Sequence, residues 1–80
     1  MGKFLNRISL QLINKEQRDK RRYSQHDMAQ GTNLTDSAIS RILGYESLDN
    51  VPFGSIVTIA RWLEVHPFEL FEESDSDEEQ

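Results

Sequence analysis

The stretch that decides the fold is Tyr23–Leu43, with the sequence YSQHDMAQGTNLTDSAISRIL. Ser24 is a residue type that caps helix N-termini, and Asp27 stands three residues later, where a capping box places its acid. The segment Gly31–Asn33 then interrupts the helix, because asparagine is one of the few residues that tolerate a left-handed backbone. The stretch therefore begins with one short helix that ends in a tight turn.

A second short helix follows the turn and stops at Gly44. Leu34 is an apolar anchor within the turn, and Thr35 is placed to cap the new helix. Ile39 and Ile42 lie three residues apart, so both face the same side of that helix. Two short helices with their apolar sides turned inward across such a turn have the layout of a helix-turn-helix, which many DNA-binding domains share.

The composition limits the chain to one small domain. Its 80 residues include no cysteine, so neither a disulfide framework nor a cysteine-ligated metal is expected. A chain of this length buries only about 60% of the surface that its unfolded form exposes, which predicts marginal stability or help from a partner subunit. There is no apolar run of ~20 residues and no recognisable signal peptide. We therefore expect a cytoplasmic protein without a membrane partner.

The net charge of −5 argues against a nucleic-acid partner until it is divided along the chain. Residues 1–22 carry seven basic and two acidic side chains, whereas residues 69–80 carry seven acidic and no basic ones. Residues 1–68 alone have a net charge of +2. Because basic arms and acidic tails usually have different partners, the overall charge does not exclude DNA.

Residues 3–22 are predicted to form one helix that precedes Ser24. Their apolar residues recur at helical spacing. These residues are Phe4, Leu5, Ile8, Leu12 and Ile13. The last turn is cationic and contains Lys20, Arg21 and Arg22. This cluster is either a solvated helix end or a patch that contacts phosphates, and the second interpretation is favoured because the next helix starts at once.

Two further helices are predicted after a polar loop at residues 45–51. Pro52 is placed at the start of a fourth helix, which ends near Val65. Its apolar positions are Phe53, Ile56, Val57, Ile59, Ala60 and Leu63. His66 is placed to cap a short fifth helix that begins with Pro67, since proline is preferred at the first helical position.

Three aromatic residues near the end of these helices are candidates for a dimer interface. They are Trp62, Phe68 and Phe71. Trp62 lies off the middle of the apolar face of the fourth helix. It is interpreted equally well as the edge of the core or as an exposed contact with a second subunit.

Residues 72–80 are predicted to be a disordered tail, since six of the nine are acidic and none is hydrophobic. The tail either competes with DNA for the basic helix or only aids solubility. The sequence thus predicts an all-α, five-helix helix-turn-helix domain at residues 1–71 and a disordered acidic tail at residues 72–80.

The second helix of the helix-turn-helix has polar residues on its outward face. They are Asp36, Ser37, Ser40 and Arg41. Each base pair presents its own pattern of donors and acceptors in the major groove. Arg41 suits the O6 and N7 atoms of guanine, while Asp36 either accepts from a cytosine amino group or serves as an ordinary cap. Ser24 and Gln25 stand at a helix N-terminus, where backbone N–H groups favour phosphate.

The sequence resembles the phage repressor and Cro-type helix-turn-helix family, whose members have lambda-repressor-like DNA-binding domains. The residues that carry the resemblance are Ser24, Gln25, Met28, Ala29, Asn33, Leu34, Thr35, Ile39, Ser40, Arg41 and Ile42. It continues through Ile56, Ile59, Ala60, Leu63, Val65, Leu70 and Phe71, and so covers roughly residues 18–71.

The resemblance implies a five-helix domain that binds operator DNA, usually as a symmetric dimer. It implies that Gln25 contacts the DNA backbone and that Thr35 lies near phosphate or base. The positions that face bases in the family correspond to Asp36, Ser37 and Arg41.

The chain departs from the family pattern at several positions. Asn33 stands where glycine is common, and Leu43 stands where glutamate is common. The loop after the second helix has Glu46 and Asp49 in place of frequent basic residues. Phosphate contacts are therefore expected to depend more on Lys20–Arg22 and the N-terminal helix.

Nothing in the sequence indicates an enzyme, and we expect no cofactor and no metal. The main hypothesis is a sequence-specific regulator of transcription, a repressor that binds a palindromic operator in double-stranded DNA as a homodimer. The alternative is a protein-interaction module on the same scaffold, such as an antitoxin or adaptor. Its protein partner would bind the acidic tail or the aromatic C-terminal surface.

Overall fold

The fold is mostly helical, and the computed structural model describes residues 2–75 of the chain. Within these residues the four α-helices are α1 (Ile8–Asp19), α2 (Gln25–Thr32), α3 (Asp36–Gly44) and α4 (Phe53–Leu63). A short 3₁₀ helix, Pro67–Leu70, follows α4. The strands β1 (Gly2–Asn6) and β2 (Phe71–Asp75) pair as an antiparallel sheet. The expectation of an all-α domain with five helices is corrected, because the fifth helix is a 3₁₀ turn and a small sheet is added.

Residues 3–6 belong to β1 and not to the predicted N-terminal helix. One edge of β1 pairs with β2 along its full length. On the other edge, the N–H of Asn6 donates to the carbonyl of Glu46 at 3.0 Å. The N–H of Leu48 donates to the carbonyl of Phe4 at 2.8 Å. Hydrogen bonds on both edges satisfy the backbone of β1, so the extended form is favoured over the helix that the apolar spacing predicts.

The helix α1 is shorter than predicted at both ends. At its start, the side-chain oxygen of Asn6 accepts a hydrogen bond from the N–H of Ile8 at 2.9 Å. At its end, Lys20 has a left-handed backbone (φ 58°), and its N–H bonds to the carbonyl of Glu16. This conformation stops α1 at Asp19, so the basic residues Lys20–Arg22 lie beyond the end of the helix.

The predicted acidic tail begins inside a strand. Residues 72–75 belong to β2, so the predicted boundary between residues 71 and 72 lies within that strand. Backbone pairing with β1 and an ion pair between Arg7 and Glu72 (2.8 Å) hold β2 in place. The rest of the predicted tail, residues 76–80, lies outside the described residues.

The capping signals after the loop are confirmed. α4 starts directly after Pro52, as predicted. It ends at Leu63, about two residues early, because Glu64 adopts a left-handed backbone (φ 63°). The ring Nδ1 of His66 accepts a hydrogen bond from the N–H of Phe68 at 3.2 Å, which caps the 3₁₀ helix.

The hydrophobic core lies where the four helices, the loop after α3 and the 3₁₀ helix meet. Its buried side chains are Ile8, Met28, Ala29, Ile39, Ile42, Leu48, Val51, Ile56, Ile59, Ala60, Leu63 and Leu70. The inner faces of α2 and α3 both contribute, so the core fixes the two helices of the helix-turn-helix against α4. None of the helices in residues 2–75 combines the length and the apolar character that a membrane crossing requires.

A polar cluster at the edge of the core connects α1, the segment before α2, and α4. Lys15 is only 7% exposed, and its ammonium lies 3.2 Å from Asp19 and 5.2 Å from the rings of Tyr23 and Trp62. The Tyr23 hydroxyl donates to Asp19 at 2.6 Å. This bond lowers the pKa of Asp19, with Lys15 adding to the effect, and raises the pKa of Tyr23. Of the two interpretations of Trp62, its position favours the edge of the core.

Candidate nucleic-acid interface

The first helix of the helix-turn-helix starts with a complete capping box. The hydroxyl of Ser24 accepts from the N–H of Asp27 at 3.0 Å, and the Asp27 carboxylate accepts from the N–H of Ser24 at 2.9 Å. The bond from the Ser24 backbone is the main reason why the pKa of Asp27 is lowered. The nearby positive charge of Arg21 contributes to the same shift. The prediction of Ser24 as N-cap is confirmed, and Gln25 becomes the first, exposed residue of α2.

The turn between α2 and α3 is set by Asn33 rather than by Gly31. Asn33 has the predicted left-handed backbone, with φ of 62°. α2 continues through Thr32, whose hydroxyl donates to the carbonyl of Met28 at 2.7 Å. Gly31 therefore lies within the helix, and its expected role as a helix breaker is wrong. Its lack of a side chain serves another purpose, because the indole ring of Trp62 occupies the space that a Cβ atom would need.

The second helix, α3, is capped by Thr35, whose hydroxyl accepts from the N–H of Ala38 at 3.0 Å. Ile39 and Ile42 are buried on its inner side, as predicted. Its exposed polar side chains are the four base-facing candidates Asp36, Ser37, Ser40 and Arg41. The geometry thus brings a row of hydrogen-bonding groups to one outward side of a short, well-packed helix.

Arg41 is available for an external acceptor. Its side chain is exposed, and it forms no ion pair with the residues that the structure describes. It borders a groove between the end of α3 and the start of α4. Tyr45 and Asn50 line the same groove and add polar groups beside the guanidinium. A planar guanidinium with free donors is the group that reads guanine most often in a major groove.

His26 joins the first turns of the two helices and is a residue that sequence reasoning missed. Its Nδ1 lies 3.3 Å from Oδ2 of Asp36, and both side chains are 64% exposed. Asp36 lies ten residues further along the chain, so the local sequence around His26 does not indicate its contact with α3. The contact places the N-terminal turns of α2 and α3 side by side on the exposed surface.

The basic cluster that precedes α2 is exposed and only loosely paired. The guanidinium of Arg21 lies 4.5 Å from the centre of the Tyr23 ring. The side chain of Arg22 is 94% exposed and lies 3.8 Å from the Glu16 carboxylate. Lys20 is exposed at the end of α1. These cations adjoin the N-terminus of α2, so positive charge and unpaired helix N–H groups occur together there.

The end of α3 is anchored by Asn6, which the sequence placed in the first turn of the predicted N-terminal helix. Its side-chain amide donates to the carbonyl of Ile42 at 2.8 Å and to that of Tyr45 at 3.0 Å. Because its oxygen also accepts from the N–H of Ile8, one side chain connects β1, α1 and α3. The side chain of Asn6 therefore links the sheet to the C-terminal end of α3.

The three dimer candidates lie in different environments. Phe68 is 64% exposed, and its ring centroid lies 6.0 Å from that of Phe71. Phe71 is half-buried and also packs edge-to-face on Phe4 at 5.1 Å. The ring of Trp62 instead packs against Tyr23 at 5.3 Å. Exposed aromatic surface thus lies on the sheet and the 3₁₀ helix, away from Trp62.

These features define a helix-turn-helix DNA-binding domain: two capped helices cross at a tight turn, and the second presents a polar face. The family model for the Cro/C1-type HTH DNA-binding domain matches residues 15–75, from within α1 to the end of β2. The chain therefore belongs to this family, and the resemblance to phage repressors and Cro is confirmed. Neither a search of curated proteins nor a search of solved structures found a match.

Proposed function

We propose that this protein is a sequence-specific regulator of transcription, a repressor that binds double-stranded DNA with α3 in the major groove. The observation that supports the proposal best is the outward face of α3, where four polar side chains are exposed on a helix whose other face is buried. Membership of a DNA-binding family supports the nucleic-acid partner. A repressor needs no more than this surface, since occupation of a promoter is enough to block it.

The proposal gives distinct roles to two groups of residues. Asp36, Ser37, Ser40 and Arg41 would face base edges and determine the sequence that is bound. The backbone group would hold phosphates and set the orientation on the duplex. It comprises Lys20, Arg21, Arg22, Ser24, Gln25 and Thr35. Arg41 and Arg22 represent the two roles best, because both have exposed guanidinium groups.

The small size of the α3 surface supports a homodimer on a palindromic operator. One short helix reads only a few base pairs, whereas two recognition helices about 34 Å apart read two half-sites on one face of the duplex. Phe68 and Phe71, with Phe4 beside them, supply exposed aromatic surface for the partner subunit. Trp62 is the weakest of the three candidates, because its ring is already packed within the chain.

Selection of bound duplexes from a random library tests the proposal directly. We expect one enriched sequence with two-fold symmetry, and footprints about one helical turn apart. Affinity for that duplex should fall steeply with salt, and Arg22→Ala should lower the salt slope by about 1. A bound fraction without any enriched sequence would favour the adaptor interpretation, in which the aromatic surface binds another protein.

A further inference from the structure

The contact between His26 and Asp36 is unusual for a surface that binds DNA. A carboxylate at the first position of the recognition helix repels nearby phosphates. Here that carboxylate is not alone, since Nδ1 of His26 lies 3.4 Å from Oδ1 and 3.3 Å from Oδ2. Both groups are well exposed, so the pair lies within reach of an approaching duplex.

The orientation of the imidazole determines what His26 can offer to DNA. Because Asp36 accepts only, Nδ1 must carry a proton to bond with it. A neutral imidazole has a single proton, so the other nitrogen, Nε2, is then an acceptor and cannot bond a phosphate oxygen. Only the protonated ring donates at both nitrogens. His26 can therefore hold Asp36 and bind phosphate at the same time only after it takes up a proton.

None of the charged groups near His26 in the described residues removes its need for a second proton. On α3, Asp36 faces the ring. On α2, Asp27 is the neighbouring carboxylate. That carboxylate already accepts a hydrogen bond from the N–H of Ser24, and the Asp27 N–H donates to the Ser24 hydroxyl. In the segment before α2, Arg21 acts on Asp27. No other charged group meets the His26 ring among the ion pairs of the described residues.

We infer that His26 and Asp36 act as one unit at the DNA interface, in which His26 positions the Asp36 carboxylate and takes up a proton to bind a phosphate oxygen through Nε2. The inference depends on the proposed DNA binding and adds a positioning residue to it. When DNA binds, a solvent acid gives up a proton that forms a new N–H bond at Nε2 of the ring, and no other covalent bond changes. Because binding takes up a proton, affinity for DNA decreases as the pH rises.

Binding measured from pH 6 to pH 8 at constant ionic strength tests the inference. Affinity of the wild type should fall as the pH rises, by up to about tenfold per pH unit for each bound subunit. His26→Gln should abolish this dependence. His66→Gln is the matched control, because the other histidine caps the 3₁₀ helix, and it should keep the wild-type slope. A flat wild-type profile, or an unchanged slope in His26→Gln, would overturn the inference.

Asp36→Asn distinguishes an effect of the His26–Asp36 pair from an effect of His26 alone. An asparagine amide donates to Nδ1, so a neutral His26 is then free to donate from Nε2. On an unrelated duplex, where base readout by Asp36 does not contribute, this variant should bind at least about threefold more tightly than the wild type at pH 8, with a shallower pH profile. Binding weaker than wild type at pH 8, on both the selected and an unrelated duplex, would contradict the coupling.

A measurement on the free protein keeps this inference separate from the proposed function. Nitrogen-15 NMR at pH 8 should show the neutral His26 ring protonated at Nδ1, and Asp36→Asn should shift that proton to Nε2. The Nε2–H form in the wild type would overturn the inference even where DNA binds. A different result would contradict only the proposed sequence-specific regulator. In that result the tautomer is as expected, and binding depends on pH but is equally strong for the selected and the unrelated duplex.

Discussion

The indole ring of Trp62 lies directly over Gly31, so close that a Cβ atom on Gly31 would overlap Nε1 and Cδ1 of the ring. This contact joins the last turn of α2 to the last turn of α4. Through Trp62, α2 is also connected to Tyr23 and to the buried ammonium of Lys15. The placement of the first helix of the helix-turn-helix thus depends on the absence of one side chain.

Gly31→Ala should lower the free energy of unfolding, although alanine is the better helix former. Overpacking at such a site costs about 1–3 kcal/mol, against a gain of up to about 1 kcal/mol in helix propensity. Gly54→Ala, in α4, is the matched control because a Cβ atom added there would meet no atom within 4 Å. It should leave stability unchanged or raise it. Urea unfolding of both variants decides, and equal effects would contradict the role of Trp62.

Arg41→Ala should weaken binding to the selected duplex by about 1–3 kcal/mol and broaden the set of sequences that are bound. The reason is the loss of a guanidinium that the structure leaves free at the end of α3. Arg61→Ala removes the same charge from the exposed side of α4 and serves as the control. Titrations at one salt concentration compare the two. If both variants lose the same affinity, Arg41 contributes only its charge.

Asn6→Ala should destabilise the domain by about 1–3 kcal/mol, because three hydrogen bonds disappear, two of them from the Asn6 amide to the carbonyls of Ile42 and Tyr45. Asn6→Asp retains the acceptor for Ile8 but removes the donor, so it should also be destabilising. The exposed Asn14, whose amide contacts only Gln11 at 3.4 Å, provides the control Asn14→Ala. Denaturant unfolding measures the loss of stability in each variant. An equal loss in Asn14→Ala and Asn6→Ala would argue against the role of Asn6 at the end of α3.

Acid should weaken the domain partly through Asp27. Its pKa in the folded protein is lowered, so the unfolded state binds the proton more strongly. The stabilisation is fully present above the ordinary carboxyl value near 3.9, and it is lost as the pH falls through the lower folded value. Asp27→Asn should therefore show a smaller loss of stability than the wild type between pH 5 and pH 2. Parallel stability curves for the two proteins would refute this contribution.

The local parts of the fold could be read from the sequence. The caps at Ser24, Thr35 and His66 each depend on residues within three positions of one another, and all three are present. Asn33 also follows from its own conformational preference. Such local signals predict the structure correctly here because the tertiary contacts agree with them.

The sheet could not be read in the same way. Phe4 and Leu5 fit a helical period, and the acidic residues from Glu72 onward carry no apolar pattern. What decides their structure is a partner strand at the far end of the chain. The proximity of Gly31 to Trp62 and of His26 to Asp36 is likewise set by helix packing, which residue spacing along the chain does not reveal.

The pairing of β1 with β2 has a consequence for the order of folding. It joins Asn6 to Phe71 and so closes a loop of nearly the whole described chain. Closing this long loop costs chain entropy before any hydrogen bond between the strands can form. The turn between α2 and α3 is short, so its closure costs much less entropy. We therefore expect the helix-turn-helix to assemble early and the sheet to form last. In the native protein, amides of the sheet should exchange with solvent through partial openings that leave α3 folded.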